Sequence, residues 1–478
     1  MRNAIGRKTG EVYADTTEKH WTFDVHDNAA SWTDPNGNLV AQTFDLNNRL
    51  TRRDIVVGPG VSDDTTFEIY KYDGLSRLVH AEDDDSVVTR KYDSLSHITS
   101  ETQNGQVVAD VYDGMGNQLV LSYPGGRVVT TTYDALNRKK AISDQDGMIA
   151  TYYYVGPGRV ERRDYGNNTR TEYSYDGIAG VPNALNGFAV KRITRTRHTV
   201  VGRTCASDAD CPTGDTCETA TGTCIIDDRT YNWDKMLNKR QRKDVRPNGP
   251  RLTHDYSYDS IYRLIHTQVT DGDGADVRDT VYNLDGVGNR ITVAGEPDPG
   301  AYTMSSATPE PADRQMNQYT TTPFDTRTYD TNGNLASIDA PPTGPPTLRL
   351  ISYDYKNRVV RHEDQSTGVL STYAYDAFGR RIQKVVGADG PTPETTRSLY
   401  SRWRQIEDQN DNLLALATYA FGLYIDEVLT MRRPSGDYYY YADDLYNVTG
   451  ISDQTGAVIE RSTYHDYGAF TGSAPKLM

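Results

Sequence analysis

The 478-residue sequence lacks long apolar runs. No stretch approaches the roughly 18 apolar residues that a membrane-spanning helix needs, so we predict no membrane span. Residues 1–7 contain no apolar core of the kind found in signal peptides. No segment repeats apolar residues with a helical period, so we expect very little helix. The hydrophobic fraction of 36% and the mean hydropathy of −0.69 are low for one large packed core and favour a thin, partly solvated sheet.

The chain also has no excess of positive charge, and several known catalytic motifs are missing. The net charge is −15, which disfavours nucleic acid as a partner because phosphate binding needs a basic surface. The nine histidines are scattered, and no zincin, C-x-x-C or phosphate-loop motif occurs. We therefore predict no cofactor, no metal site and no catalytic residues. A polysaccharide hydrolase using two carboxylates is the least favoured alternative.

Cysteine is restricted to one window, which contains Cys205, Cys211, Cys217 and Cys224. A dense, even-numbered cluster among Gly, Pro and Asp indicates a small disulfide-bonded insert and an oxidising compartment. Four cysteines allow three pairings, of which we favour Cys205–Cys217 with Cys211–Cys224. The competing interpretation is a four-thiolate zinc site, but the short C-x2-4-C spacing of such sites is missing. The insert interrupts the repeats described next, so we expect it to decorate a loop.

Tyrosine is abundant, with 35 residues against only 8 Phe, and it recurs before Asp in a short phrase. The phrase is an aromatic residue, Asp, two variable residues, a Gly, Asn or Ser, and then usually Arg or Asn. In the most regular region consecutive aspartates are separated by 20, 20 and 21 residues, which signals a repeat architecture. The signature residues are Tyr72, Asp73, Tyr92, Asp93, Tyr112, Asp113, Tyr133, Asp134, Tyr258, Asp259, Tyr329, Asp330, Tyr353, Asp354, Tyr375, Asp376, Gly379 and Arg380.

Each phrase predicts a strand that ends in a turn. Tyr is favoured in strands, and an Asp that opens a turn accepts hydrogen bonds from nearby backbone N–H groups. The third residue after Asp needs a left-handed conformation to close a bulged hairpin. Gly and Asn tolerate that conformation, whereas Ser76, Ser96 and Tyr262 fit it less well, so we expect their turns to differ. A second turn follows half a repeat later, as at Asn104–Gly105, so that each repeat consists of a strand, a turn, a second strand and a second turn.

The repeats resemble the YD repeats of the Rhs family, which insecticidal toxin-complex shell subunits and teneurins share. Residues 438–443, 447–449, 453–461 and 464–468 resemble the Rhs-associated core. The resemblance implies an all-β fold, an antiparallel YD-repeat strip that spirals into a partial or complete hollow shell. In bacterial members this shell commonly encloses a C-terminal toxin. The self-cleavage motifs expected after the core are missing, so release of a toxin by self-cleavage is not carried over.

The sequence thus predicts four segments: an N-terminal YD-repeat strip (1–203), the cysteine-rich insert (204–225), degenerate repeats with loops (226–325) and a truncated Rhs-core-like region (326–478). We expect a non-catalytic shell or scaffold of a secreted or cell-surface toxin. Its partner would be a C-terminal effector that this chain lacks, or a partner shell subunit. The alternative is a surface adhesion module that binds glycans or cell-surface proteins.

Overall fold

The computed structural model describes residues 1–2, 6–177, 192–304, 316–340 and 347–471. The strands of these residues are antiparallel and are joined by turns and loops, and their one helical element is a short 3-10 helix at Asp208–Asp210. Within the described ranges, no helix has the length and apolar character needed to cross a membrane. The all-β fold class and the near absence of helix predicted from the sequence are confirmed.

The strands follow one another in four stretches of the chain. The first stretch contains β1 (Gly10–Val12), β2 (Glu18–Phe23), β3 (Ala29–Thr33), β4 (Leu39–Phe44), β5 (Leu50–Val56), β6 (Phe67–Tyr72), β7 (Leu78–Asp83), β8 (Val87–Tyr92), β9 (Ile98–Gln103) and β10 (Gln106–Tyr112). The second contains β11 (Gln118–Ser122), β12 (Val128–Tyr133), β13 (Lys139–Asp144), β14 (Gly147–Val155), β15 (Arg159–Tyr165), β16 (Thr169–Tyr175), β17 (Ile193–Thr204), β18 (Thr216–Glu218), β19 (Thr223–Trp233), β20 (Lys239–Asp244), β21 (Thr253–Tyr258), β22 (Leu264–Thr270), β23 (Asp276–Leu284) and β24 (Arg290–Ala294).

The remaining strands lie in the C-terminal part of the chain. The third stretch contains β25 (Gly300–Ala301), β26 (Thr303–Met304), β27 (Tyr319–Thr321), β28 (Thr326–Tyr329), β29 (Leu335–Asp339), β30 (Arg349–Tyr353), β31 (Val359–Asp364), β32 (Val369–Tyr375), β33 (Arg381–Val386), β34 (Glu394–Ser401) and β35 (Arg404–Gln409). The fourth contains β36 (Ala415–Phe421), β37 (Val428–Arg433), β38 (Gly436–Ala442), β39 (Val448–Ser452), β40 (Val458–Arg461), β41 (Thr463–Tyr464) and β42 (Phe470–Thr471).

The hairpin between β6 and β7 shows how one phrase folds. Lys71 pairs with His80 but Tyr72 pairs with Leu78, so the register shifts by one residue at the tyrosine and produces a bulge. The N–H of Ser76 donates to the Asp73 carbonyl over 3.0 Å, which closes the turn. The same shift at the signature tyrosine recurs in the β8–β9, β12–β13, β30–β31 and β32–β33 hairpins.

The turns expected to differ do not differ. Ser76, Ser96 and Tyr262 have φ angles of 62°, 69° and 67°, in the same left-handed region as Asn48 at 57° and Gly116 at 83°. The prediction of a different turn was wrong because it weighed only the steric cost at Cβ. Hydrogen bonds to the aspartate, described below, hold the turn in this conformation whichever residue occupies the position.

The chain divides into two compact units, each assembled from two distant segments. Unit 1 contains Met1–Asp110 and Gly300–Leu414, and unit 2 contains Val111–Pro299 and Ala415–Met478. The four-segment division predicted from sequence order stays a prediction, because these units group the chain by contacts instead.

In unit 1, the C-terminal segment packs on one edge of the N-terminal sheet. The turn at Asp34 and the Asn104–Gly105 turn lie at this edge, whereas the turns at Asp24, Asp45, Asp73 and Asp93 lie at the other, which we call the Asp-turn edge. The contacts are made by turns of the C-terminal repeats. Tyr355 packs with Val40 and Ile55, and Ala377 packs with Tyr70 and Ala81.

Candidate functional site

The aspartate of a typical repeat holds its turn with three hydrogen bonds. In the first regular repeat, Asp73 Oδ1 accepts the N–H groups of Leu75 and Arg77 over 2.9 and 3.0 Å, and Asp73 Oδ2 accepts Arg77 Nε over 2.6 Å. In the corresponding turn of Asp134, the hydrogen bond from Arg138 holds the pKa of the carboxyl below its ordinary value. The repeated carboxylates are therefore engaged in local structure and are not free to act as acids or bases.

The other signature aspartates bind the fourth residue after them in the same way. That residue is always a side-chain N–H donor, either Arg, Asn or His. The pairs are Asp93–His97, Asp113–Asn117, Asp259–Arg263, Asp330–Asn334, Asp354–Arg358 and Asp376–Arg380. Sequence reasoning noted Arg or Asn at the fourth residue after the aspartate but assigned that residue no role. The signal for its role was that only residues with a side-chain N–H donor occur there.

Arginine and tyrosine also join successive repeats. Arg77 Nη1 donates to the Asp93 carbonyl over 2.8 Å, and the Arg77 guanidinium lies 4.8 Å from the centre of the Tyr92 ring. Tyr92 in turn donates its hydroxyl to the Leu78 carbonyl over 2.7 Å. Arg358 contacts the Asp376 carbonyl and the Tyr375 ring in the same manner. Each repeat thereby fixes the position of the next one along the sheet.

Buried ion pairs connect the two segments of unit 1. Glu68 is fully buried, accepts the Tyr70 hydroxyl over 2.7 Å and pairs with Lys356. Burial alone would raise the pKa of Glu68. The Lys356 ammonium and the hydrogen bonds to the carboxylate outweigh that effect, so the pKa is below its ordinary value. Glu101 pairs with Arg380 over 2.6 Å, with both side chains almost completely buried.

Unit 2 contains equivalent pairs between its two segments. Arg163 and Glu427 form a buried salt bridge, and the Glu427 carboxylate also accepts the N–H of Leu423 over 2.8 Å. The other two pairs are Lys239 with Asp444 and Arg278 with Asp466, each at 2.8 Å.

The tyrosine-rich strand β38, which belongs to the Rhs-core-like region, lies in the interior of unit 2. Tyr441 is fully buried and its hydroxyl lies 2.9 Å from Thr169 Oγ1. Tyr165 donates to the Tyr440 carbonyl, and His198 Nε2 lies 3.1 Å from the Ala442 carbonyl oxygen. Burial lowers the pKa of His198 to about 4, so this histidine is neutral and structural at physiological pH. Sequence reasoning did not bring these residues together.

The four cysteines form the Cys205–Cys217 and Cys211–Cys224 disulfides, the pairing favoured from the sequence. The insert is part of the sheet rather than a loop decoration, because β18 pairs with β19 and places Cys217 opposite Cys224. It also contacts the C-terminal segment of unit 2. Arg461 donates to the Gly214 and Ile226 carbonyls, each over 2.6 Å.

Among the buried carboxyls that have an oxygen without a hydrogen bond, Asp83 and Asp215 are the candidates for catalytic groups because burial raises their pKa most clearly. Burial raises the pKa of Asp83 and of Asp215 to about 7. Asp83 is closed off from solvent in unit 1 and accepts the Ser86 hydroxyl over 2.7 Å. Asp215 is equally buried in unit 2, with Arg461 at 3.6 Å. Neither carboxyl lies where a polymeric substrate could reach it, so neither supports hydrolysis of polysaccharide.

The match to a family model agrees with this repeat geometry. Residues 353–392 match the RHS Repeat, and this range includes Tyr353, Asp354, Tyr375 and Asp376, whose turns are described above. This part of the chain is an RHS repeat. No curated protein matches the sequence.

Solved toxin-complex structures share the fold of this YD-repeat chain. The Photorhabdus luminescens Tc holotoxin pore aligns with a TM-score of 0.62 at 15% identity, covering 98% of this chain and 24% of that one. The TcdB2-TccC3 crystal structure gives 0.63 at 15% identity, covering 98% and 25%. The TcdB2-TccC3-TEV structure gives 0.60 at 14% identity, covering 95% and 24%. The chain spans about a quarter of the length of these solved chains, and the likeness at this identity concerns the fold alone.

Proposed function

We propose that this chain is a non-catalytic wall segment of a secreted or cell-surface Rhs-like toxin. It would enclose or present an effector encoded outside these 478 residues. The observation that carries the proposal is the fold match over 98% of the chain to structures of Tc toxin assemblies. The two disulfides agree with an oxidising compartment outside the cytosol.

The chemistry of the repeats supports a structural role. The signature aspartates are engaged in their turns, and the buried charges between distant segments are paired, as Glu101 with Arg380 and Lys239 with Asp444 show. Buried charges that are paired stabilise one arrangement and are costly to expose singly. These features suit a rigid wall, and a rigid wall suits a protein that contains another polypeptide.

Protease protection tests the proposal. The chain would be expressed joined to the polypeptide that its native gene encodes next, and digested with a nonspecific protease. We expect the joined segment to be cleaved at least about tenfold more slowly than the same segment expressed alone, because cleavage requires access to an exposed chain. Equal cleavage rates in the two forms would contradict enclosure.

Adhesion is the second candidate, and the exposure of residues 206–210, between Cys205 and Cys211 of the cysteine insert, favours it. An exposed segment held at both ends by disulfides could contact glycans or a protein on another cell. Glycan-array and cell-binding assays would compare the intact chain with a variant in which residues 206–210 are replaced by Gly and Ser. Binding that disappears only in the variant would favour adhesion, and the absence of binding by the intact chain would remove it.

A further inference from the structure

The cysteine insert lies against the edge of strand β40 in unit 2. Strand β40 pairs with β39 on one side, and no other strand pairs with it among the residues that the structure describes. Away from β39, the Val458 N–H donates to the Thr213 carbonyl over 3.2 Å. The open edge of a sheet presents unpaired N–H and C=O groups, and proteins commonly cover it. The insert therefore covers the open edge of β40.

An arginine at the end of β40 extends this contact. Arg461 Nη2 donates to the Gly214 carbonyl and Arg461 Nη1 donates to the Ile226 carbonyl, each over 2.6 Å. Gly214 approaches β40 so closely that a Cβ atom there would lie 3.1 Å from the Val458 carbonyl oxygen. Its φ of 88° is one that glycine adopts readily. The contact thus requires one particular conformation of the insert around Gly214.

The two disulfides hold the contacting part of the insert at both of its ends. Residues 212–216, which we call the edge loop, lie between Cys211 and Cys217. Cys211 is bonded to Cys224 in β19, and Cys217 is bonded to Cys205, which directly follows β17. Cross-links of this kind remove many of the conformations that the loop would otherwise adopt when it is not docked.

The docked edge loop contains a group that would be more stable in water. Asp215 is fully buried, and within the described part of the chain neither of its carboxylate oxygens accepts a hydrogen bond. Arg461 lies 3.6 Å from it, which is longer than a hydrogen bond. Arg246 Nη1 contacts the same Gly214 carbonyl as Arg461, so two like charges converge there. A buried carboxyl without hydrogen bonds is destabilising, so we infer that docking relies on the cross-links.

A thiol reductant would reach both disulfides from one side. Residues 206–210, between Cys205 and Cys211, are exposed, and these two cysteines are themselves 9% and 7% exposed. Their partners Cys217 and Cys224 are 3% and 0% exposed. A thiolate would attack the more exposed sulfur of each bond, form a mixed disulfide with it and release the buried cysteine as a thiolate. A second thiol would then free the first cysteine and leave the reductant as a disulfide.

We propose that the cysteine insert is a redox-sensitive clamp on strand β40. In an oxidising compartment the disulfides hold the edge loop against β40. After reduction the loop would leave, Asp215 would become hydrated and the open edge of β40 would be released. This proposal does not depend on an enclosed effector. It is also separate from adhesion by residues 206–210, because the edge loop lies on the other side of Cys211 in the sequence.

Hydrogen–deuterium exchange of the intact chain, with and without dithiothreitol, tests the proposal. We expect the N–H groups of residues 458–461 to exchange at least about tenfold faster after reduction, because the edge loop then opens without the restraint of the cross-links. Strands β14 and β15 of the same unit contain no cysteine and are the internal control. Their exchange should not change. The mass of the alkylated protein would confirm that all four cysteines are reduced.

Two variants separate the clamp from other effects of the reductant. Replacement of all four cysteines by serine should give fast exchange at residues 458–461 both with and without dithiothreitol. Arg461→Met keeps the disulfides but removes the guanidinium contacts, so exchange at residues 458–461 should be fast before reduction. Arg433→Met, in β37 of the same segment, is the matched control and should leave that exchange slow.

Several results would overturn the proposal. One is unchanged exchange at residues 458–461 after complete reduction, and another is disulfides that resist dithiothreitol in the folded chain. Equal acceleration in β14 and β15 would also overturn it, because the disulfides would then stabilise the whole unit and not one edge. So would equal exchange in Arg461→Met and Arg433→Met, since the arginine contacts would then contribute nothing specific to the clamp.

Discussion

The two units use buried ion pairs of opposite polarity. In unit 1 the N-terminal segment supplies the carboxylates of Glu68 and Glu101, and the C-terminal segment supplies the cations of Lys356 and Arg380. In unit 2 three buried pairs have the reverse polarity, with the cation in the N-terminal segment and the carboxylate in the C-terminal segment. The unit 2 pairs are Arg163 with Glu427, Lys239 with Asp444 and Arg278 with Asp466.

This reversal disfavours wrong combinations of segments, because a buried charge that met a like charge or no partner would be strongly destabilising. Two arginines of the C-terminal segment of unit 2 have the other polarity. Arg432 lies 3.1 Å from Asp144 and also pairs with Asp146, and Arg461 lies 3.6 Å from Asp215. Repeats so similar in sequence need such a device, because their hairpins alone do not distinguish one neighbour from another.

We expect the largest loss of stability when the cation of the Arg163–Glu427 pair of unit 2 is removed. Arg163→Met leaves Glu427 buried without its cation and should lower the free energy of unfolding by about 3–5 kcal/mol. In unit 1, Glu101→Gln should cost less, because Arg380 keeps its salt bridge to Asp376 at 2.7 Å. Urea-induced unfolding of both variants measures the difference.

The double variant Arg163→Met/Glu427→Gln is the control for this experiment. It removes both charges, while the amide oxygen introduced at position 427 would still accept the Leu423 N–H, so most of the lost stability should return. A loss below about 1 kcal/mol in Arg163→Met would contradict a stabilising role of the buried pair.

Local features of the sequence predicted the repeats, the turns and the fold class. Asp73 and Tyr72 act within their own hairpin and the adjacent one, so a pattern a few residues long is enough to recognise them. The conformation of Tyr262 was predicted wrongly because two local effects compete there. The side chain disfavours a positive φ, and the hydrogen bonds of Asp259 impose it.

The contacts between segments could not be predicted in the same way. Glu101 and Arg380 are separated by 279 residues, and neither has a sequence neighbourhood that identifies the other. Tyr441 stands in a run of four tyrosines, and only the structure shows that it is the fully buried one beside Thr169. Such pairs are selected by the three-dimensional arrangement of whole segments, which single-sequence patterns do not encode.

A smaller effect concerns the way in which the free energy of unfolding depends on pH, to which the two units contribute through different buried groups. In unit 1, burial raises the pKa of Asp83 to about 7, while an unfolded aspartate titrates near 3.8. At a pH between these two pKa values, the folded state binds more protons than the unfolded state. The free energy of unfolding should therefore fall as the pH rises from 4 to 7. The slope from one such group is at most about 1.4 kcal/mol per pH unit. Asp83→Asn should remove it.

Unit 2 contains two groups whose effects oppose each other in this range. Asp215, with its pKa raised to about 7 by burial, has the same slope as Asp83. His198, with its pKa lowered to about 4 by burial, binds fewer protons in the folded state, so its contribution to stability grows as pH rises from 4 to 6.5. His198→Gln should therefore make the fall in stability steeper, and unfolding curves at several pH values would show whether it does. An unchanged slope in both variants would contradict this account.

The smallest expected effect concerns the left-handed turn residues. Tyr262→Gly in unit 2 removes the steric cost at a φ of 67° and should raise the free energy of unfolding by about 1 kcal/mol or less. Ser76→Gly in unit 1 should gain less, because it also removes the contact between Ser76 Oγ and Arg49 Nη1 at 3.1 Å. Ile261→Gly is the matched control, since Ile261 has no positive φ to relieve and glycine there adds only flexibility to the unfolded chain. Thermal unfolding should rank Tyr262→Gly above Ser76→Gly and Ile261→Gly lowest. The opposite ranking would mean that the aspartate hydrogen bonds fully relieve the strain at Tyr262, and that the turn then has nothing to gain from glycine.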